Sequence, residues 1–153
     1  MKKFLSNDYL TLLCRLVFGG IFMYAALDKM THPDQFARIV FNYHLLPGPI
    51  INIVALVLPV SEFLAGIMLI SGTLYPGARN YLIILLLAFM IAIGVNVIRG
   101  VDLECGCFTV SSKAKSAALQ ILVRDVFYLI PGLILLVSGS RRWMIDNVLS
   151  ARR

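Results

Sequence analysis

Four long apolar runs, separated by short polar breaks, dominate the chain and cover about residues 9–28, 50–71, 80–99 and 116–138. Each has roughly 20 residues, enough at ~1.5 Å per residue to cross a ~30 Å hydrocarbon layer as a helix. Lys2 and Lys3 precede the first run, as in a signal peptide. That run, however, is long enough to span, contains Arg15, and is followed by Asp28-Lys29 instead of a small-residue cleavage site. It is read as the first span.

A mixed segment separates the first two spans. Pro33 suits the first position of a helix. Phe36, Ile39, Val40 and Tyr43 then recur at helical spacing, while Asp34, Gln35, Arg38 and Asn42 fall on other faces. This pattern predicts a short amphipathic helix along the membrane interface, ended by Leu45-Leu46-Pro47-Gly48-Pro49. The second span carries Pro59, an expected kink, and Glu62. Ser71 to Gly77 reads as a turn with an interfacial tyrosine, Tyr75. The third span has no charge before Arg99, and the fourth holds Arg124-Asp125 and Pro131-Gly132. Arg141, Arg142 and Trp143 then anchor the interface. With no internal repeat or second domain, residues 1–153 form a single integral membrane domain. The expected fold is all-α, a polytopic membrane four-helix bundle with a short interfacial amphipathic helix between its first two spans.

Composition agrees. The chain is 59% hydrophobic and 14% charged, with mean hydropathy +0.86, against about 25% charged for a soluble domain. The net charge is +6. Its basic residues gather at the ends and in short loops, which suits lipid headgroups and orientation, not a nucleic-acid groove. Lys2, Lys3, Arg79, Arg141, Arg142, Arg152 and Arg153 fall on one side, and Lys29, Arg38, Arg99, Lys113 and Lys115 on the other. This excess predicts that both termini are cytoplasmic. The amphipathic segment and the loop after the third span then share the outer, oxidising side.

That loop contains Cys105-Gly106-Cys107, two of only three cysteines. Gly106 lets the chain fold tightly enough to bring the two sulfurs together. A bridge in so small a ring is strained, and strained bridges exchange readily. Cys14 lies at the opposite end of the first span and reads as a small hydrophobe. Charges inside spans need partners. Counting depth from the helix ends allows an Arg15–Glu62 pair, either a packing clamp or the polar floor of a cavity for a headgroup or carrier. Arg124 and Asp125 point about 100° apart on a helix, so they are not expected to pair simply across one face. Arg124 or Lys29 could instead favour the thiolate of a nearby cysteine. His32, His44 and the tyrosines Tyr24, Tyr43, Tyr75, Tyr81 and Tyr128 read as interface residues.

Several of these pieces, in order, resemble the DoxX-like superfamily and specifically its MauE-type branch of redox-associated membrane proteins. They are Arg15-Leu16-Val17-Phe18-Gly19-Gly20 with Lys29; Phe36 to Pro47, ending Tyr43-His44-Leu45-Leu46-Pro47; Pro59-Val60-Ser61-Glu62; Cys105-Gly106-Cys107-Phe108; and Arg124. Thr109 departs from the glycine that often follows the phenylalanine. The resemblance implies a bacterial inner-membrane protein that supports disulfide formation beside a thioredoxin-like periplasmic partner.

The leading expectation is thiol–disulfide redox chemistry with Cys105, Cys107 and Arg124 as the reacting group. No second cysteine pair is present to relay electrons, so a membrane quinone that meets the dithiol near Arg124 is the expected acceptor and cofactor, with Arg15, Glu62 and Lys29 as candidate binding residues. Two alternatives stand beside it. One is a non-catalytic scaffold for a soluble oxidoreductase. The other is soft-metal handling, since two thiolates suit Cu(I) or Hg(II). Beyond the bilayer and the thioredoxin-like protein, a second copy of the chain is a candidate partner.

Overall fold

The computed structural model describes residues 8–43, 47–99 and 114–138. Within them lie five helices: α1 (Asp8–Thr31), α2 (Pro33–Asn42), α3 (Gly48–Ser71), α4 (Tyr75–Arg99) and α5 (Ala114–Val137). The Cys105-Gly106-Cys107 segment, His44 and the terminal anchors lie outside the described residues. Four helices are long and apolar enough to cross a membrane: Asp8–Thr31, Gly48–Ser71, Tyr75–Ile98 and Gln120–Val137. The chain is an all-helical, multi-pass membrane bundle, as its hydropathy predicts.

Apolar residues cover both the inside and the outside of this bundle. Leu56, Ile84, Ile91 and Phe127 are all more than 60% exposed, which suits a surface facing lipid. In lipid, helices gain little from burying apolar surface against one another, so close packing decides their arrangement. The tightest packing joins α1 and α3. A Cβ on Gly19 would sit 3.1 Å from the Gly66 carbonyl oxygen, and one on Gly66 would sit 3.1 Å from that of Gly19. The two backbones can approach this closely only because both positions lack a side chain. Phe18 and Phe22 pack edge to face beside this contact, 5.1 Å apart, with Leu69, Leu82 and Leu135 around them. Gly132 leaves room for the Phe18 ring, which a Cβ there would meet at 3.1 Å.

The predicted apolar face of α2 is buried at all four positions, Phe36, Ile39, Val40 and Tyr43. It faces the long helices. Phe36 and Val40 pack with Ile51 and Ala55 of α3, while Ile39 and Tyr43 pack with Ile93 of α4 and Ile121 and Leu122 of α5. Asp34, Gln35 and Arg38 are exposed on the other side. The helix thus roofs one end of the bundle, called here the α2 end.

The turn between α3 and α4 is shorter than its composition predicts. Gly72 takes a left-handed conformation (φ 75°) and caps α3 through an N–H bond to the Met68 carbonyl. Helix α4 then starts at Tyr75, with Pro76 in its first turn. Proline is tolerated there because its missing N–H would have no helical partner. Tyr75 is therefore not an interfacial tyrosine. It is 5% exposed, and its hydroxyl donates to the Leu135 carbonyl at 3.3 Å.

Candidate functional site

Lys29 sits in the last turn of α1, yet its side chain turns back into the bundle. Its ammonium donates to both oxygens of Glu62 on α3, at 2.9 and 2.8 Å. The Glu62 side chain is fully buried and that of Lys29 is 15% exposed. The same ammonium lies 5.2 Å from the Phe36 ring centroid and 4.6 Å from that of Phe89. Two aromatic faces and one carboxylate therefore enclose the charge, each interaction strengthened by the loss of water.

The Arg15–Glu62 pairing allowed by the sequence does not form. Gly19 and Gly66 set the register of α1 against α3, and this places Arg15 beside the C-terminal end of α3. There its Nε donates to the Leu69 carbonyl at 3.0 Å and its Nη2 to that of Ile70 at 2.8 Å. These carbonyls belong to the last turn of α3, where helical partners run out. The guanidinium also lies 5.5 Å from the Tyr75 ring, with Arg79 at the same distance from that ring. Arg79 caps α5 in turn, donating to Leu135 at 3.0 Å. Arg15 thus belongs to a helix-capping cluster at the end opposite the α2 end, together with a Thr11–Ser138 hydroxyl contact.

Arg124 and Asp125 pair with each other, contrary to the expectation from their directions on the helix. The Arg124 Nη2 and Nε lie 3.2 and 3.4 Å from one Asp125 oxygen. The guanidinium arm is long enough to curl sideways around the helix, and it passes 5.4 Å from the Tyr128 ring centroid. Side-chain length overrides the 100° separation of the two Cα–Cβ bonds.

Both ion pairs face one cavity. Lys29, Glu62, Arg124 and Asp125 line it, together with Tyr43 and Tyr128 and apolar walls from Phe22, Phe36, Phe89 and Ile93. All five helices contribute. The cavity measures about 80 Å³, several times the ~10–15 Å³ that one water needs on the same measure. Of the residues expected at a site, the fold brings together Lys29, Glu62 and Arg124 and leaves Arg15 apart. It adds Asp125, whose position inside a span was itself the available signal. Tyr43 and Tyr128 line this cavity, and Tyr81 bonds Ser61 of α3 at 2.6 Å.

One turn beyond Ile93 on α4, Asn96 is fully buried and donates to the Ala92 carbonyl at 2.8 Å. Its Oδ1 has no hydrogen-bond partner among the described residues. His32 stays local, near Thr31 and the Asp28 carbonyl. Among the described residues, no group of three or more His, Cys, Asp or Glu side chains could hold a metal ion.

The family described as "Methylamine utilisation protein MauE" matches residues 7–138. The chain belongs to the MauE family. It is 34% identical over 123 residues to the methylamine utilization protein MauE of Paracoccus denitrificans, covering 80% of this chain and 66% of that protein. It is 33% identical over 109 residues to MauE of Paracoccus versutus (71% and 59% of the two chains). It is 32% identical over 108 residues to MauE of Methylophilus methylotrophus (70% and 57%). The chain thus spans less than two thirds of the length of these MauE relatives. No solved structure matches it.

Proposed function

We propose that this MauE-family chain is the membrane component of a thiol–disulfide redox system. Cys105 and Cys107 exchange with the cysteine pair of a thioredoxin-like partner outside the cytoplasm, and a membrane quinone takes up the electrons. From the name of the relatives we carry over a role in methylamine utilisation. The observation behind this reading is the cavity itself, two ion pairs turned toward an otherwise apolar space at the α2 end. Arg99, the last residue of α4, and Ala114, the first of α5, lie at that same end, and the two cysteines fall between them in the sequence.

The electron balance is simple. The two thiols become one disulfide, and two electrons and two protons pass to the two oxygens of the quinone ring. The chain supplies hydrogen-bond donors for those oxygens, Lys29 on one wall and Arg124 on another, each held by its own carboxylate. Charged donors make the stronger hydrogen bonds. Glu62 and Asp125 neutralise them as pairs, which lowers the cost of burying them. Partner exchange proceeds by thiolate attack through a mixed disulfide.

The test begins with the purified, reduced protein. On addition of decyl-ubiquinone, Cys105 and Cys107 are expected to lose their maleimide labelling while the quinone is reduced in equal amount. Single Cys105→Ser or Cys107→Ser variants are expected to trap the partner covalently. A pair that keeps its labelling whatever the state of quinone and partner overturns the redox reading. If function in the cell also survives replacement of both cysteines, the scaffold reading takes its place.

A further inference from the structure

We propose that the quinone is a tailed, membrane-resident one, and that its apolar tail lies in a groove between α3 and α4 through which the ligand reaches the cavity sideways from lipid. This rests on the quinone reading above and specifies the substrate class.

The groove is separate from the charged cavity but shares a wall with it. Val54 and Leu58 of α3 form one side, and Leu85, Ala88 and Ala92 of α4 form the other. Its volume is about 240 Å³ against about 80 Å³ for the cavity. Phe36, Tyr43 and Phe89 line both spaces. These three aromatic residues thus form a shared wall between the cavity that holds the two ion pairs and the wholly apolar side of the groove. From Leu85 to Ala92 the groove follows α4 for about 10 Å. Below it, the Ser61–Tyr81 hydrogen bond of 2.6 Å ties α3 to α4 and closes the gap. Above it, α2 forms the roof through Phe36 and Val40. Ala88 is exposed at the bundle surface, so the groove opens toward the hydrocarbon layer instead of toward either face of the membrane.

The two spaces together match one amphiphile, with a small polar ring between Lys29 and Arg124 and a chain running out past Phe89. Phe89 has two roles in this arrangement. Its ring holds the Lys29 ammonium on one side and lines the groove on the other. A tail placed there leaves one apolar medium for another, so its gain comes from packing contacts and is modest.

The experiment compares two ligands of identical ring in lipid nanodiscs, decyl-ubiquinone and its tail-less counterpart, 2,3-dimethoxy-5-methyl-1,4-benzoquinone. Affinity is measured per ligand in the bilayer. Wild type is expected to prefer the tailed ligand about five- to tenfold, a size set by packing alone. Ala88→Phe, which fills the groove, is expected to abolish that preference by lowering the affinity for decyl-ubiquinone to that of the tail-less ligand. Ala92→Leu serves as a second filling variant should Ala88→Phe fold poorly. Ile84→Phe, outside the groove on the same helix, is expected to keep the preference. Equal affinity of the two ligands for wild type, or a preference that survives both filling variants, overturns the lateral groove while leaving the quinone reading intact. Binding of neither ligand overturns both. Displacement of the tail by phospholipid acyl chains alone, with no ring dependence, assigns the groove to an ordinary lipid and also overturns the proposal.

Discussion

Replacing Glu62 by Gln probes the arrangement most directly, because it removes one charge and almost no volume. Glu62 is fully buried and accepts two bonds from Lys29 at 2.9 and 2.8 Å. Removing one partner of a buried pair costs about 3–5 kcal/mol when the other charge is stranded. Two features reduce that here. The Gln carbonyl still accepts one hydrogen bond from the ammonium, and bonds to charged groups contribute about 1.5–3 kcal/mol. Lys29, in the last turn of α1, can also swing its stem toward the headgroups. A net loss of about 1.5–3 kcal/mol is expected for Glu62→Gln. Lys29→Met leaves the fully buried Glu62 carboxyl without its ion-pair partner and is expected to cost a similar amount. The double variant should cost less than the sum of the two, with a coupling of about 1–3 kcal/mol. The assay is reversible unfolding in mixed micelles of mild detergent and dodecyl sulfate, followed by helical circular dichroism. Arg15→Met supplies the control. It lies in a different cluster, so its cost should add to that of Glu62→Gln within about 0.5 kcal/mol. Coupling between Arg15 and Glu62 with none between Lys29 and Glu62 would refute the register derived from Gly19 and Gly66.

The other expectations use the same unfolding assay. Gly66→Ala should destabilise by about 1–3 kcal/mol, since its Cβ presses on the Gly19 carbonyl oxygen and on Met23. Gly20→Ala meets nothing within 4 Å and should be neutral or stabilising by up to about 1 kcal/mol from helix propensity; equal losses at the two sites would disprove the close approach. Asn96→Leu removes a buried acceptor with no partner among the described residues, a group whose desolvation costs about 1–3 kcal/mol. It should therefore be neutral or stabilising, and a loss above about 2 kcal/mol would show that the amide is satisfied by another group.

The spans and the amphipathic face of α2 could both be read along the chain. Each depends on local regularities: run length against bilayer thickness, and apolar spacing against a 3.6-residue turn. Pairing could not be read in this way. Arg15 and Glu62 lie at matching depths when counted from helix ends, but depth does not say how one helix is shifted along its neighbour. Two glycines decide that shift, and their contact moves Arg15 to the α3 carbonyls and leaves Glu62 for Lys29. Tyr75 was assigned to the interface by residue type, and the early start of α4 buried it. Arg124 and Asp125 were separated by direction, and side-chain length rejoined them. In water, an apolar stripe shows which face of a helix turns inward. In lipid, both faces are apolar, so the inner face is marked only by small residues and a few charges whose partners stay undefined until the helices meet. The one-dimensional pattern thus settles how many helices cross and where they start and stop, and the three-dimensional contact alone settles which charges share a cavity.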